Sequence, residues 1–232
     1  MRKLFLMCAA LLISATTALA GNDLSLKDIT SGKFAPKGIG SITALDDGET
    51  YAQVSKDGKK VVRYSFRTGK QTDVLFDVNN TIGQKIESFE DYIMSPDGTK
   101  MLIQTNSHKI YRRSFTADFY IYTIASRKLE KLSDNGAQQT PVWSPDGKQI
   151  AFVRDNNIFL VKLLYDNAES QVTKDGKKNE LINGIPDWVN EEEFGFNTAM
   201  TFNGDGSMIC WIKYDEKDVR EYSLQMFKGE YS

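Results

Sequence analysis

Three consecutive glutamates, Glu191, Glu192 and Glu193, are the residues in this sequence whose type and spacing best support chemistry. They follow residues 186–189 (Pro-Asp-Trp-Val), whose Trp-Val pair we expect to be buried. Adjacent carboxylates repel one another, and a cation placed among them would relieve that repulsion. The stretch therefore has two interpretations: a pocket that receives a cation, or a solvated acidic turn. Composition alone favours the turn.

The first twenty residues have the pattern of a cleavable signal peptide. Arg2 and Lys3 form a positive segment, residues 4–13 are apolar, and residues 18–20 (Ala-Leu-Ala) form a small-residue cleavage site. We therefore expect cleavage after Ala20 and a periplasmic or secreted protein. The apolar run is short for a membrane span, so we expect no stable span after cleavage.

Residue types used for nucleophilic catalysis or metal binding are scarce. Removal of Cys8 with the signal peptide leaves Cys210, which lies in the apolar run 208–212, where we expect a buried small side chain. The one histidine, His108, is expected on a strand or at the surface. Two cysteines and one histidine exclude the usual zinc spacings. We expect no metal, no cofactor and no catalytic residue in this chain.

Charge and composition narrow the class further. The chain has 29 basic and 31 acidic residues and no Lys/Arg cluster, so nothing in its charge favours nucleic-acid binding. Its 13 Phe and 10 Tyr are typical of β-sheets.

Four related turns divide the chain into units. Asp-Gly pairs end at Gly48, Gly98, Gly147 and Gly206, with spacings of 50, 49 and 59 residues. In Ser-Pro-Asp-Gly, proline presets φ, aspartate bonds back to the backbone and glycine takes the positive-φ position. Short apolar runs precede and follow these turns, which indicates hairpins. Units of about four short strands at this period predict an all-β fold, a partial β-propeller of about four blades.

The sequence around the glutamates resembles a known family. Residues 187–193 (Asp-Trp-Val-Asn-Glu-Glu-Glu) are similar to the double-Glu motif of the dipeptidyl peptidase IV family, in the prolyl oligopeptidase class of serine peptidases. Residues 111–119 (Tyr-Arg-Arg-Ser-Phe-Thr-Ala-Asp-Phe) resemble a second motif of that family, and residues 24–57 are similar to its bacterial members. The resemblance covers residues 21–232, which we interpret as an N-terminal propeller portion.

The resemblance implies roles for individual residues. Glu192 and Glu193 match the pair that binds the free N-terminal ammonium of a peptide, and Arg112 matches the arginine that contacts the substrate carbonyl. Asp187 suits the N-cap of a short helix that carries the glutamates. Because neighbours on a helix point about 100° apart, Glu191 is expected to be structural or solvent-facing. The family also implies a homodimer of the full-length parent.

The sequence departs from the family in its catalytic machinery. The family cleaves with a Ser-Asp-His triad on an α/β-hydrolase domain, whose nucleophile lies in a Gly-x-Ser-x-Gly elbow. This chain has no such elbow, and its visible blades are about half of the family's propeller. We therefore expect the N-terminal part of a dipeptidyl peptidase, truncated before the remaining blades and the hydrolase domain.

Two other interpretations stay open at this point. The chain could be a stand-alone TolB-like periplasmic propeller that binds proteins, or a degenerate propeller that holds amine-bearing ligands without chemistry. A generic protein-binding propeller needs neither the glutamate pair nor Arg112, so these residues discriminate between the first alternative and the dipeptidyl peptidase.

The purified chain should release no product from Gly-Pro- or Ala-Pro-type chromogenic amides. The physical reason is that serine hydrolysis needs a general base beside the nucleophile. The measurement is a continuous absorbance assay. Turnover that follows the chain through purification at constant specific activity would contradict this prediction.

Overall fold

The computed structural model describes residues 24–36, 38 and 40–225. The predicted signal peptide, residues 1–20, lies outside them. The chain divides into two units at residues 40 and 41, and each is described by itself. In the part of the chain that the structure describes, no helix combines the length and apolarity needed to cross a membrane.

Among its described residues, the first unit contains one short helix, α1 (Leu26–Thr30). Ser25 is its N-cap: the Ser25 side chain accepts from the backbone N–H of Asp28 at 3.0 Å, and the Asp28 carboxylate accepts from the backbone N–H of Ser25 at 3.4 Å. This reciprocal capping box stabilises the first turn. The sequence does not predict α1, because five residues are too few to show a 3.6-residue period.

The second unit is built of antiparallel sheets that follow one another along the chain. The first sheet has the order β1 (Thr43–Ala44), β2 (Thr50–Val54), β3 (Lys60–Ser65) and β4 (Gln71–Asp77). The second has the order β5-β9-β8-β7-β6, with β5 (Ile82–Gly83), β6 (Asp91–Met94), β7 (Lys100–Lys109), β8 (Phe115–Thr123) and β9 (Lys128–Lys131). Only β5 and β9 pair in parallel among these described strands.

The third sheet contains β10 (Gln139–Trp143), β11 (Gln149–Arg154), β12 (Asn157–Lys162) and β13 (Ala168–Gln171). Two further pairs follow, β14 (Leu181–Asn183) with β17 (Lys213–Asp215) and β15 (Met200–Phe202) with β16 (Ile209–Trp211). Helix α2 (Trp188–Phe194) lies between β14 and β15 in sequence, and 3-10 turns cover Val78–Asn80 and Leu163–Tyr165. Backbone hydrogen bonds join the two pairs through Gly184, Ala199 and Ile212, so together they form the fourth blade.

Buried apolar layers lie between successive blades. On β7, Met101 and Ile103 pack in the layer shared with the first sheet, whereas Leu102 packs in the layer shared with the third. On β11, Ile150 faces the second blade and Ala151 faces the fourth. Side chains on a strand alternate between faces, so a strand covered on both faces reads as a continuous apolar run. This stacking confirms the prediction of an all-β partial propeller.

The repeated turns have the predicted chemistry. In the second blade, the Ser95 hydroxyl accepts from the Lys100 N–H at 2.9 Å and donates to Asp97 at 2.6 Å, while Gly98 has φ of 66°. The third blade repeats these contacts between Ser144, Asp146 and Gln149. Residues 55–60 form a similar turn between β2 and β3, which the sequence repeat did not reveal. The turns therefore fix where each hairpin reverses.

The expected burial of Cys210 is wrong. Cys210 is exposed at the centre of β16, while Ile209 and Trp211 on either side are partly buried against the third apolar layer. The alternation of side chains turns Cys210 to the opposite face. An apolar run in the sequence does not show whether both faces of its strand are covered. His108 lies on β7 and is exposed, as predicted.

The Asp97 turn should make stability depend on pH. Burial works to raise the pKa of Asp97, but hydrogen bonds from Ser95 and Thr99 outweigh it and lower the pKa from 3.8 to about 2. A pKa lowered by folding stabilises the folded state above the unfolded value, and this stabilisation is lost as pH falls from about 4 towards 2. We expect Asp97→Asn to lower the free energy of unfolding at pH 6, with a smaller difference from wild type at pH 2.5.

Urea unfolding at several pH values measures this difference. Asp134→Asn is the control, because that carboxylate is 83% exposed and the change should have little effect at any pH. A difference between Asp97→Asn and wild type that stays constant from pH 6 to pH 2.5 would contradict the prediction.

Candidate functional site

Helix α2 begins and ends at defined caps. Asp187 is extended, and its carboxylate accepts from the backbone N–H of Asn190 at 2.7 Å, which confirms it as the N-cap. Gly195 ends the helix in the left-handed conformation with φ of 71°, and its N–H donates to the Glu191 carbonyl oxygen at 3.0 Å. These caps limit α2 to seven residues and set which way each glutamate points.

The three glutamates have three different environments. Glu191 is 1% exposed, Glu192 is partly buried and Glu193 is exposed. A helix turns each residue by about 100°, so the three side chains cannot all face one ligand. Glu191 was expected to be either structural or solvent-facing, and it is buried in a structural position.

The hairpin between β7 and β8 extends beyond its sheet and carries Arg112. Its strands pair out to Lys109 and Phe115, after a register shift between Thr105 and His108. The tip closes with a hydrogen bond from the Ile110 N–H to the Ser114 carbonyl oxygen at 2.9 Å. This extension brings residues 111–114 to α2, about 80 positions further along the chain.

Arg112 and Glu192 form an ion pair across this gap. The Nε atom of Arg112 donates to Oε2 of Glu192 at 2.8 Å, and the two side chains are 70% and 23% exposed. Within the described part of the chain, Nε is the one guanidinium nitrogen of Arg112 that is hydrogen-bonded. The Nη groups therefore remain open to a ligand oxygen.

Arg113 is placed differently from Arg112. Its carbonyl oxygen accepts from Nδ2 of Asn197 at 3.1 Å, and its guanidinium lies against Gly195, where an added Cβ would be 3.3 Å from an Nη atom. Arg113 therefore packs along the end of α2, and Arg112 is the arginine that pairs with a glutamate.

Charge at this site is unbalanced. Four carboxylates, those of the Asp187 cap and of Glu191 to Glu193, lie beside two guanidinium groups, Arg112 and Arg113, so acidic groups outnumber basic groups by two. Glu193 makes no hydrogen bond or ion pair with any other residue that the structure describes. The site therefore presents one partly satisfied carboxylate and one free carboxylate on adjacent helical positions, an arrangement suited to a small cation.

The expected burial of the Trp-Val pair is wrong. Trp188 is 55% exposed and Val189 is 54% exposed. The helix is instead held by Glu191, whose Oε1 accepts from the backbone N–H groups of Arg113 at 2.6 Å and Ser114 at 2.9 Å. The sequence does not predict this contact, because it joins residues far apart in the chain. The helical period predicts only that one of the three glutamates points inward.

A cavity of about 440 Å³ lies beside the hairpin, with Tyr111, Asp187 and Glu216 in its wall. Burial and the carboxylate of Glu216 raise the pKa of Tyr111. Burial and the carboxylate of Asp187 raise the pKa of Glu216. The Arg112–Glu192 pair does not line this cavity.

Residues 95–232 match the family model of the dipeptidyl peptidase IV N-terminal region. They include the repeated turns of the second to fourth blades, the Arg112 hairpin and α2. The chain therefore belongs to this family, which confirms the predicted resemblance.

Individual relatives support the same assignment. The chain is 36% identical over 220 residues to a probable dipeptidyl-aminopeptidase B of Emericella nidulans, and 30% identical over 209 residues to the human prolyl endopeptidase FAP. These alignments cover 90% and 89% of this chain but 24% and 26% of the relatives. The chain thus spans about a quarter of the length of the curated relatives it matches.

A solved structure is similar over the same length. The crystal structure of Porphyromonas gingivalis dipeptidyl peptidase 4 matches 90% of this chain and 30% of its own, with a TM-score of 0.83 and 36% identity. Among the residues described here, no group of three or more His, Cys, Asp or Glu side chains is arranged to hold a metal ion.

The two arginine–glutamate pairs among the described residues should differ in their contribution to stability. We expect Arg112→Ala to change the free energy of unfolding by less than about 1 kcal/mol, because exposed ion pairs contribute little. Arg154→Ala breaks a pair with Glu169 whose side chains are 11% and 16% exposed, and should cost about 3 kcal/mol.

Chemical denaturation of both variants is the measurement. A loss in Arg112→Ala as large as that in Arg154→Ala would mean that the Arg112–Glu192 pair holds the fold together. That result would contradict the view that this pair is free to serve a ligand.

Proposed function

We propose that this chain forms the substrate-recognition part of an exported serine dipeptidyl peptidase that releases X-Pro and X-Ala dipeptides. Glu192 and Glu193 bind the α-ammonium group of the peptide, and Arg112 binds a substrate carbonyl oxygen. The observation that carries the proposal is the 2.8 Å contact of Arg112 with Glu192 beside the free Glu193. Membership of the dipeptidyl peptidase IV family and the printed names of the relatives support it.

Charge supports an ammonium ligand. Acidic groups outnumber basic groups at the site, so a cationic ligand reduces the excess of negative charge. An ammonium has three N–H donors, which suits two carboxylates on adjacent helical positions. Charge-assisted hydrogen bonds are shorter and stronger than neutral ones.

The same chemistry gives selectivity for peptide N-termini. An acylated N-terminus is neutral and bulkier, so it leaves Glu193 without a partner and cannot offer three donors. A polar site rejects ligands that lack the group it is built to bind. Binding of the terminal ammonium fixes the distance from the peptide N-terminus to the bond that is cleaved, as release of a dipeptide requires.

The position of Arg112 supports the proposed contact with a substrate carbonyl oxygen. The Nε atom of Arg112 is used by Glu192, which holds the guanidinium plane in one orientation, and the Arg112 side chain is 70% exposed. A carbonyl oxygen beside the ammonium can accept from its Nη groups. A generic protein-binding propeller, the alternative interpretation, has no need of this pair.

Export follows from the N-terminal sequence. Residues 1–20 have the charge, apolar run and small-residue site of a signal peptide. We therefore place the protein in the periplasm or outside the cell, where peptides with free N-termini would be its ligands.

The chain should bind Ala-Pro-amide and discriminate against N-acetyl-Ala-Pro-amide. Hydrogen bonds to charged groups contribute about 1.5–3 kcal/mol each, so we expect the acetylated ligand to bind at least about tenfold more weakly. Glu192→Gln and Glu193→Gln should each weaken binding of the free amine by a similar factor. Chemical-shift titration in ¹⁵N spectra measures these affinities.

Glu130→Gln is the matched control, since Glu130 pairs with Lys128 on the second sheet, away from α2, and should bind as wild type. Equal affinity for the free and acetylated ligands would contradict the proposal. So would wild-type affinity in both glutamine variants.

A further inference from the structure

Glu191 joins the two halves of the proposed site. Its Oε1 atom accepts from two consecutive backbone N–H groups, those of Arg113 at 2.6 Å and Ser114 at 2.9 Å. Glu191 belongs to α2, and the two amides belong to the β7–β8 hairpin. One buried carboxylate oxygen therefore connects the helix that carries Glu192 and Glu193 to the loop that carries Arg112.

The position of these two amides makes the contact specific for Arg112. The N–H of Arg113 belongs to the peptide unit that directly follows the Cα atom of Arg112. Holding this N–H fixes the plane of that peptide unit and so the direction in which the Arg112 side chain leaves the backbone. Consecutive backbone N–H groups form a concave site suited to an anionic oxygen.

Two further contacts hold the hairpin to the end of α2, in addition to that of Glu191. Asn197 donates to the Arg113 carbonyl oxygen, and the Arg113 side chain packs against Gly195. Both hold the far side of Arg113 to the end of α2. Of the described side chains, Glu191 is the one that binds the backbone amides at this point.

Stability alone does not explain a glutamate here. Glu191 is 1% exposed, and its Oε2 atom is buried with no hydrogen-bond partner among the described residues. Burial of a carboxylate with one unpaired oxygen is costly, although Oε1 satisfies two backbone amides. The glutamate therefore orders the hairpin that carries Arg112 at some cost in stability.

We infer that Glu191 is a positioning residue for peptide recognition: it sets Arg112 against Glu192 before the ligand arrives. This inference rests on the proposed function. Glu191 does not contact the ligand; it acts through the orientation of the Arg112 loop relative to α2. A site that is ordered before binding loses less affinity to the ordering of its side chains.

The experiment compares Glu191→Ala with Glu191→Gln in the full chain. Glutamine keeps an oxygen that can accept from both amides, whereas alanine does not. We expect alanine to speed hydrogen exchange at the Arg113 and Ser114 amides by about tenfold or more, to shift the Arg112 Nε–H resonance, and to weaken Ala-Pro-amide binding by about tenfold. Glutamine should restore all three readouts to within about threefold of wild type.

Two results would overturn the inference. One is wild-type affinity and an unchanged Arg112 resonance in Glu191→Ala, which would make Glu191 a residue of stability only. The other is an equal loss of affinity in both variants, which would mean that the charge of Glu191 acts on the ligand directly. If Glu191→Ala does not fold, the glutamine variant and the slow exchange of both amides in wild type still decide the matter, because fast exchange in wild type contradicts the connection.

Failure of the proposed function gives a different result. In that case wild type does not distinguish the free from the acetylated peptide, while the exchange rates and the Arg112 resonance still respond to the Glu191 variants. The hydrogen-exchange and resonance measurements therefore test the connection independently of ligand binding.

Discussion

The buried apolar layers between successive blades are the constraint on which the site depends. Arg112 and Glu192 are 80 residues apart in sequence, and they meet because the second, third and fourth blades stack at a fixed separation. Leu102 contributes to one layer and Ala151 to the next, both with no exposed surface. A slip of one residue in either strand would exchange its buried and exposed faces. The packing of the blades therefore sets the distance between hairpin and helix.

The apolar layers bring the β7–β8 hairpin close to α2, and polar contacts then fix the orientation of the two segments. The ion pair of Arg112 with Glu192 is exposed and contributes little free energy, whereas the contact of Glu191 with two backbone amides is buried. The buried contact of Glu191 holds the backbone of the hairpin, and the exposed contact of Glu192 orients the guanidinium group of Arg112. The remaining carboxylate, Glu193, has no hydrogen bond or ion pair among the residues that the structure describes. Such a site recognises its ligand by charge and hydrogen-bond direction rather than by apolar burial.

The features that could be predicted from the sequence depend on near neighbours in the chain. The Ser-Pro-Asp-Gly turns, the Asp187 cap and the short helix after it each need only a few consecutive residues, and the period of the turns predicts the blades. The family resemblance indicated Arg112 and Glu192, which the structure brings together. Their role in substrate binding stays a prediction.

Features that depend on distant segments could not be predicted. The contact of Glu191 with residues 113 and 114 has no local signal, because the partners are backbone amides that every sequence supplies. Trp188 and Cys210 were expected to be buried because they are apolar, yet burial depends on whether another segment covers that face. Both are exposed among the residues that the structure describes.

The central claim is that Glu192 and Glu193 recognise the positive charge of a peptide N-terminus. The most direct test is the affinity of the chain for lactoyl-Pro-amide, in which a hydroxyl replaces the α-amino group of Ala-Pro-amide with little change in size. We expect wild type to prefer the amine by about tenfold or more, and this preference to disappear when both glutamates are replaced by glutamine. Equal affinity of wild type for the two ligands, or a preference that survives in the double variant, would contradict the claim.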